Sequence, residues 1–384
     1  MNDVATAPVA VHGRVAPGFE RVRAAFAANF ARGDDYEEVG AALAVYAGGR
    51  QVVDLWGGEA APGRAWQADT LVNVYSTTKG LSAIALAMLV EEGKLRYDDL
   101  VVKYWPEFGA NGKERTTVAQ LLSHQAGLSG FAEPTAIEDL YDWDGICARL
   151  ARQRPFWTPG EKTSYHAMTW GFLAGELFRR ASGGVTIGRY FAQRLAQPLG
   201  ADAFIGLPAA EEPRVAPMIA PRSMPDLSAL TQPPEALAAL ANPQLEPTVC
   251  NDRRWRAAEL PAVNGQASAR GLARIYGAVA NGGVLDGVRI LSEAGIHRMT
   301  QVQAQRPDLL LGFTSNWALG LCLNQFGMLG PEPDTFGHGG WGGSIGCANP
   351  RLGVGIGYVC NQMGAQLVGD PRGTALCQAI FESL

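Results

Sequence analysis

The stretch Val74-Tyr75-Ser76-Thr77-Thr78-Lys79-Gly80, with the apolar run that follows it, constrains this chain more than any other. Leu81, Ile84, Ala85, Met88 and Leu89 recur at i, i+3, i+4, i+7 and i+8, which predicts an amphipathic helix ending near Gly93. Such a stripe has to be buried against another layer of structure. Ser76 and Lys79 open the helix three positions apart and so share a face. A serine hydroxyl is a poor nucleophile until a neighbouring base takes its proton. A lysine serves as that base only when desolvation brings its pKa down from roughly 10.4 toward neutrality. An apolar, glycine-flanked helix start provides such a place. There the Ser76 N–H also faces any developing negative charge. With thirteen serines and five lysines in 384 residues, the Ser-x-x-Lys spacing alone is a weak signal. Its position at the head of a buried helix gives it weight.

The rest of the composition narrows the function classes. At 47% hydrophobic and 18% charged, the chain has ample material for one large or two intimately packed domains. A net charge of −5 with no basic block argues against nucleic acid or an anionic membrane as partner. No run approaches the roughly 18 apolar residues of a membrane span, and the first eight residues do not resemble a signal peptide. Six scattered cysteines, without a Cys-x-x-Cys, indicate free thiols and a reducing cytoplasm, with Cys322, Cys347 and Cys360 in apolar surroundings. None of the five histidines is paired at metal-ligand spacing, so neither a metal nor another cofactor is expected.

Taken in order, the chain starts with a helix over 17–31, carrying Phe19, Val22, Phe26 and Phe30. Two strands over 39–46 and 51–56 follow, joined by Gly48-Gly49. Residues 57–69 read as a loop into the Ser76 helix. From 97 to 254 the pattern is helical and loop-rich, with helices over 118–122, 171–181 and 187–195. A Pro-rich excursion over 205–250, with a helical patch at 235–241, is either a lid over the site or a surface loop. A helix over 266–280 and another over 292–301 precede strands at 317–324, 344–349 and 353–361, and a helix over 373–384 closes the chain. The expected fold is α/β of the α+β type: an antiparallel sheet flanked by helices, with an inserted mainly helical domain. Residues 1–75 and 255–384 form the α/β part and 76–254 the helical part, with the active site between them.

Two further stretches carry chemistry. Tyr165 stands in a Gly- and Ser-rich loop just before a helix, and a phenol near a Ser/Lys pair can relay a proton. Phe336-Gly337-His338-Gly339-Gly340-Trp341-Gly342-Gly343-Ser344 is a glycine-dense run beside a strand. Its backbone can approach a ligand closely and offer an oxyanion-hole N–H. The same run holds a decoy, Gly342-Gly-Ser344-Ile-Gly346, which matches the nucleophile elbow of α/β-hydrolases. That motif needs a helix after it, and a strand-like segment follows instead. His124 reads as a structural hydrogen-bonder and His166 as a pocket-lining neighbour of Tyr165. Tyr75, Trp157, Trp170, Trp255 and Trp317 read as core, whereas the glycines around Trp341 make it a pocket wall.

Ser76-Thr-Thr-Lys79, Tyr165-His-Ala167 and His338-Gly-Gly340, in this order and separation, resemble the three site motifs of the serine β-lactamase and penicillin-binding-protein superfamily. The likeness is closer to its class C-like esterase branch, the family VIII carboxylesterases. It extends over roughly residues 20–380, including Leu121-Leu-Ser-His-Gln-Ala-Gly-Leu128 and Pro198-Leu-Gly200. The resemblance implies a β-lactamase/transpeptidase-like fold and a serine hydrolase acting through an acyl-enzyme. It makes Ser76 the nucleophile, Lys79 and Tyr165 the base and proton relay, and the Ser76 and Trp341 N–H groups the oxyanion hole. His338, Gly339, Gly340, Trp341 and His166 would bind substrate. Two departures set the expected selectivity. Lactamases keep an Asn two residues after the tyrosine, where this chain has Ala167, and a cation in the third motif, where it has His338. Both changes favour a neutral, short-chain ester as the small-molecule partner. A β-lactamase or D-alanyl-D-alanine peptidase acting on amides is the alternative, and a penicillin-binding-like sensor without turnover is a third reading from another class.

Overall fold

The computed structural model describes residues 9–224 and 233–384. The first eight residues and part of the 205–250 excursion lie outside them. A ten-stranded antiparallel sheet forms the centre of the molecule. Nine of its strands run in the order Val11–Val15, Arg50–Ala61, Gly40–Ala47, Val354–Cys360, Ile345–Asn349, Phe336–Gly339, Cys322–Leu323, Thr314–Trp317 and Ala304–Pro307, and the tenth, Arg64–Ala65, pairs with Arg50–Ala61 off this path. Strands from the two ends of the chain meet where Val354–Cys360 pairs with Gly40–Ala47, Ile356 opposite Val45. The long stretch between contributes helices to the layers around the sheet.

Period-2 alternation explains why the sheet is covered on both faces. Along Gly40–Ala47, Ala41, Leu43 and Val45 point to one side, where the Glu20–Ala28 and Pro371–Phe381 helices pack. Ala42, Ala44 and Tyr46 point to the other, where the Ala269–Ala280 helix and the Thr77–Glu91 helix lie. With both faces buried, the strand reads as a continuous apolar run rather than an alternating one. Gly48 and Gly49 close the first hairpin at φ 54° and 74°, values that a two-residue turn of this hand requires. At Gly357 an added Cβ would come within 2.4 Å of the Ala269 carbonyl, so the helix sits directly on the strand backbone.

Most expected elements are present, and four differ. Residues 57–69 are not a loop: the Arg50–Ala61 strand runs on and pairs with Arg64–Ala65, and Val72–Asn73 is a further strand. Gln266–Ala267 is extended rather than helical. It bridges Val72–Asn73 and Ala203–Phe204 in a small second sheet, and the helix starts at Ala269 behind a Ser268 N-cap. Residues 317–324 split into two strands of a hairpin, Thr314–Trp317 and Cys322–Leu323. The Thr77–Glu91 helix is buried on every side from Thr77 to Leu89, not along one stripe, because it runs through the interior. Among the described residues, no helix is long and apolar enough to cross a membrane.

Candidate active site

The head of the Thr77–Glu91 helix is strained where it is most polar. Tyr75 holds φ 40°, a left-handed conformation worth roughly 1–3 kcal/mol of strain for a bulky residue. Its ring is clamped against Trp341 at 5.3 Å, and its hydroxyl reaches the Pro247 carbonyl. This clamp sets Ser76 at the N-cap with its Oγ turned into the interior. Gly80, one turn on, is obligatory in another sense: a Cβ there would lie 2.1 Å from the Tyr276 hydroxyl.

Around Ser76 Oγ two groups converge. Tyr165 Oη donates to it at 2.6 Å, and Lys79 Nζ stands 3.2 Å away. Nζ also contacts the Ala167 carbonyl at 2.7 Å and the Ala262 carbonyl at 3.2 Å, and lies 4.7 Å over the Tyr165 ring. Lys79 has no exposed surface, and burial pushes its pKa well below the ordinary lysine value. Its hydrogen-bond partners are carbonyls and a hydroxyl, with no carboxylate among them. The neutral amine has two hydrogens, which the two carbonyls take, so its lone pair is left facing the Ser76 hydroxyl. Burial raises the Tyr165 phenol above its ordinary value, which keeps it a proton donor. Among the described residues, neither the Ser76 nor the Trp341 main-chain N–H has a hydrogen-bond partner.

The histidines take unequal parts. His338 is buried, its Nδ1 2.6 Å from its neighbour's carbonyl at Gly339, and its Nε2 is unpartnered. Burial and the nearby Lys79 push its pKa down to about 3, so it carries no charge at neutral pH. His166 departs from its expected substrate-binding role. Its Nε2 accepts the Leu128 N–H at 3.2 Å, its Nδ1 meets the Ser164 carbonyl at 2.6 Å, and its ring is wholly buried. Both ring nitrogens are thus spent on the main chain, as adjacency in sequence alone does not reveal. His124 accepts the His166 N–H at 3.1 Å, the structural part expected of it. Ser344 precedes the Ile345–Asn349 strand and donates to the Val74 carbonyl at 2.9 Å, so no nucleophile elbow exists there.

Two supporting groups carry no motif. Asp308 is buried, and its Oδ1 accepts the N–H groups of Tyr165, Leu310 and Leu311 while its Oδ2 accepts Trp317 Nε1. It thereby holds Trp317 stacked on Tyr165 at 5.4 Å. A lone acid beside the apolar run 309–311 was the available signal. Arg372, also fully buried, donates to the Gly342 carbonyl at 2.8 Å and to Asp370, fixing the loop that carries Trp341. It also pairs with Glu38 at 3.1 Å. Burial pushes the Glu38 carboxyl up to about 8 despite that pairing, which leaves Asp370 as the standing counter-charge. Arg372→Met leaves the largely buried Asp370 without its partner and is expected to cost roughly 3 kcal/mol. A urea midpoint equal to wild type would show that the network is dispensable.

One helix of the 205–250 excursion reaches the site. Its Pro234–Ala241 helix puts Ala236, Ala239 and Leu240 into one cluster with Tyr165, Ala167 and Trp317. Ser129 Oγ donates to the Glu235 carbonyl at 2.7 Å, and Asn242 bonds the backbone at Phe131, Glu133 and Thr135. The helix is therefore a fastened roof.

A scan against protein-family models matches the Beta-lactamase family over residues 26–377. The chain belongs to the Beta-lactamase family. A curated member, the esterase/beta-lactamase LipL of Mycobacterium tuberculosis, is 39% identical over 371 residues, covering 93% of this chain and 84% of that protein. Among solved structures of this β-lactamase fold, a family VIII carboxylesterase is 47% identical with a TM-score of 0.92, covering 98% of this chain and 100% of its own. A penicillin-binding protein homolog from Caulobacter crescentus is 42% identical with the same TM-score, covering 98% of this chain and 100% of its own.

Proposed function

We propose that the protein is a serine carboxylesterase that hydrolyses short-chain neutral esters through an acyl-enzyme on Ser76. The observation that carries this reading is Lys79, buried, without a carboxylate partner and with its lone pair toward Ser76 Oγ at 3.2 Å. Ser76 Oγ attacks the ester carbonyl carbon as its proton passes to Lys79 Nζ. The N–H groups of Ser76 and Trp341 receive the oxyanion. On collapse the C–O bond to the alcohol breaks, Tyr165 gives the alkoxide its proton, and the proton on Lys79 restores the phenol. Water then repeats the sequence in reverse to release the acid. The esterase names of relatives at 39% and 47% identity support an ester as substrate. Six free cysteines support the reducing cytoplasm as its compartment. We also propose that 76–254 acts as a distinct helical unit, with the site along its junction with the sheet.

Selectivity follows from what surrounds the site. A β-lactam presents a side-chain amide and a carboxylate. Ala167 offers the amide no side-chain hydrogen bond, and neutral His338 offers the carboxylate no charge. A charge-assisted hydrogen bond is worth roughly 1.5–3 kcal/mol, so two losses amount to roughly two to four decades in kcat/KM. A chromogenic cephalosporin should therefore turn over that much more slowly than p-nitrophenyl acetate or butyrate, and Ala167→Asn with His338→Lys should narrow the gap. A cephalosporin kcat/KM equal to that of the esters would reverse the ranking and favour the amide reading.

A further inference from the structure

Beside the Ser76 centre lies a cavity that the proposed reaction has not yet used. It opens against His338, Gly339 and Gly340, and its apolar walls are Leu311, Phe313, Trp317, Leu323, Met328 and Leu367. Ser76, Lys79 and Tyr165 do not line it. The two spaces adjoin through shared walls: Trp317 is stacked on Tyr165 at 5.4 Å, and His338 lies 6.0 Å from the same ring. Leu311 and Leu367 pack in the Tyr165 cluster as well. Among the described residues, the charged side chain on its wall is Asp370, whose carboxylate oxygens are both held by Arg372 at 2.9 and 2.7 Å. No cation lines it among the described residues. At its edge, Phe313 meets Phe326 edge-on at 5.5 Å, and Phe326 is 75% exposed on a left-handed backbone at φ 52°. A large apolar side chain so exposed extends the apolar wall outward.

The reaction geometry decides which half of an ester belongs there. Tyr165 Oη protonates the departing alkoxide, so the alcohol oxygen has to come within hydrogen-bond reach of that phenol. The carbon skeleton of the alcohol then continues past Trp317 and His338, the two walls that flank Tyr165. We infer that this cavity is the alcohol subsite, and that it selects uncharged alcohols, alkyl or aryl, over ionised ones. The inference rests on the Ser76 acyl-enzyme reading.

The test uses two ester series on the wild-type protein. In the first, the acyl group stays acetyl while the alcohol grows from methyl through butyl to hexyl. In the second, the alcohol stays methyl while the acyl group grows by the same steps. Every acetate yields the same acetyl-enzyme, so differences in kcat/KM across the first series report alcohol binding and acylation alone. They should rise by up to about fourfold per methylene, the factor for burying one CH2 group, until the cavity is filled. The second series should rise less. The isosteric pair acetylcholine and 3,3-dimethylbutyl acetate should favour the neutral member by roughly tenfold or more, as the desolvation cost of an unpaired cation implies. Leu367→Trp and, independently, Leu311→Trp should lower the ratio of hexyl to methyl acetate kcat/KM by roughly tenfold, since each fills the space those methylenes occupy. A flat alcohol series, or tryptophan variants that move the acyl series instead, would overturn the assignment. Peptide mapping of the acetyl adduct separates the two readings. An adduct on Ser76 with a flat alcohol series defeats the subsite alone, whereas an adduct elsewhere defeats the acyl-enzyme reading beneath it.

Discussion

Ser76→Ala is expected to abolish ester hydrolysis, leaving a rate indistinguishable from the buffer reaction. The hydroxyl is reached by both Tyr165 Oη and Lys79 Nζ, at 2.6 and 3.2 Å, and among the described residues no other hydroxyl has a base in that position. Ser344, the competing serine, spends its hydroxyl on the Val74 carbonyl and on Thr77 Oγ1. Ser344→Ala should therefore retain most of the activity. An alkylphosphonate should add once to the wild-type protein, on Ser76, and once to the Ser344→Ala variant at the same place. Intact-mass and peptide analysis locating the adduct on Ser344 would overturn the assignment.

The second large effect belongs to Lys79. Removing it, or Tyr165, should lower kcat by roughly 10²-fold or more, the scale of lost general acid–base catalysis. Lys79→Arg should not rescue, because a guanidinium stays protonated and cannot accept the serine proton. The sign of the pH dependence follows from the lowered pKa of Lys79. The amine is active when neutral, so kcat/KM falls on the acid side as it protonates and is sustained above that pKa. Tyr165, whose pKa is raised, stays protonated through neutral pH and contributes no limb there. A Lys79→Arg protein with near-wild-type rate and an unchanged acid limb would remove Lys79 from the mechanism.

Much of this arrangement was legible in the sequence because it rests on local chemistry. The Ser76–Lys79 spacing on a helix, the Gly48-Gly49 turn and the capped helices at 118 and 292 are decided within a few residues. What the sequence hid is long-range. The Ala262 carbonyl that steadies Lys79 is a main-chain atom 183 positions away and leaves no mark in residue type. Asp308 carries no motif, and the Tyr165 N–H it accepts belongs to a residue 143 positions away. His166 was misread for the opposite reason. Its neighbour in sequence is catalytic in the proposed reaction, but its own ring turns into the interior toward Leu128. Residues 57–69 looked irregular because glycines and a short hairpin interrupt the strand pattern there.

The pairing of Gly40–Ala47 with Val354–Cys360 has a consequence for how the protein is made. On a ribosome the first hairpin emerges with both faces apolar and its central partner still unsynthesised. The Thr77–Glu91 helix, apolar all round, waits as well, since the Tyr276 that closes over Gly80 follows tens of seconds later at roughly 5–20 residues per second. Arg372, which steadies the Trp341 loop, follows later still. A nascent or prematurely terminated chain thus presents sticky surface and lacks the complete Trp341 loop. Hydrolytic competence should appear only once the stretch from Phe336 to Arg372 has emerged, and the interval before that is when the chain depends most on cellular holdases.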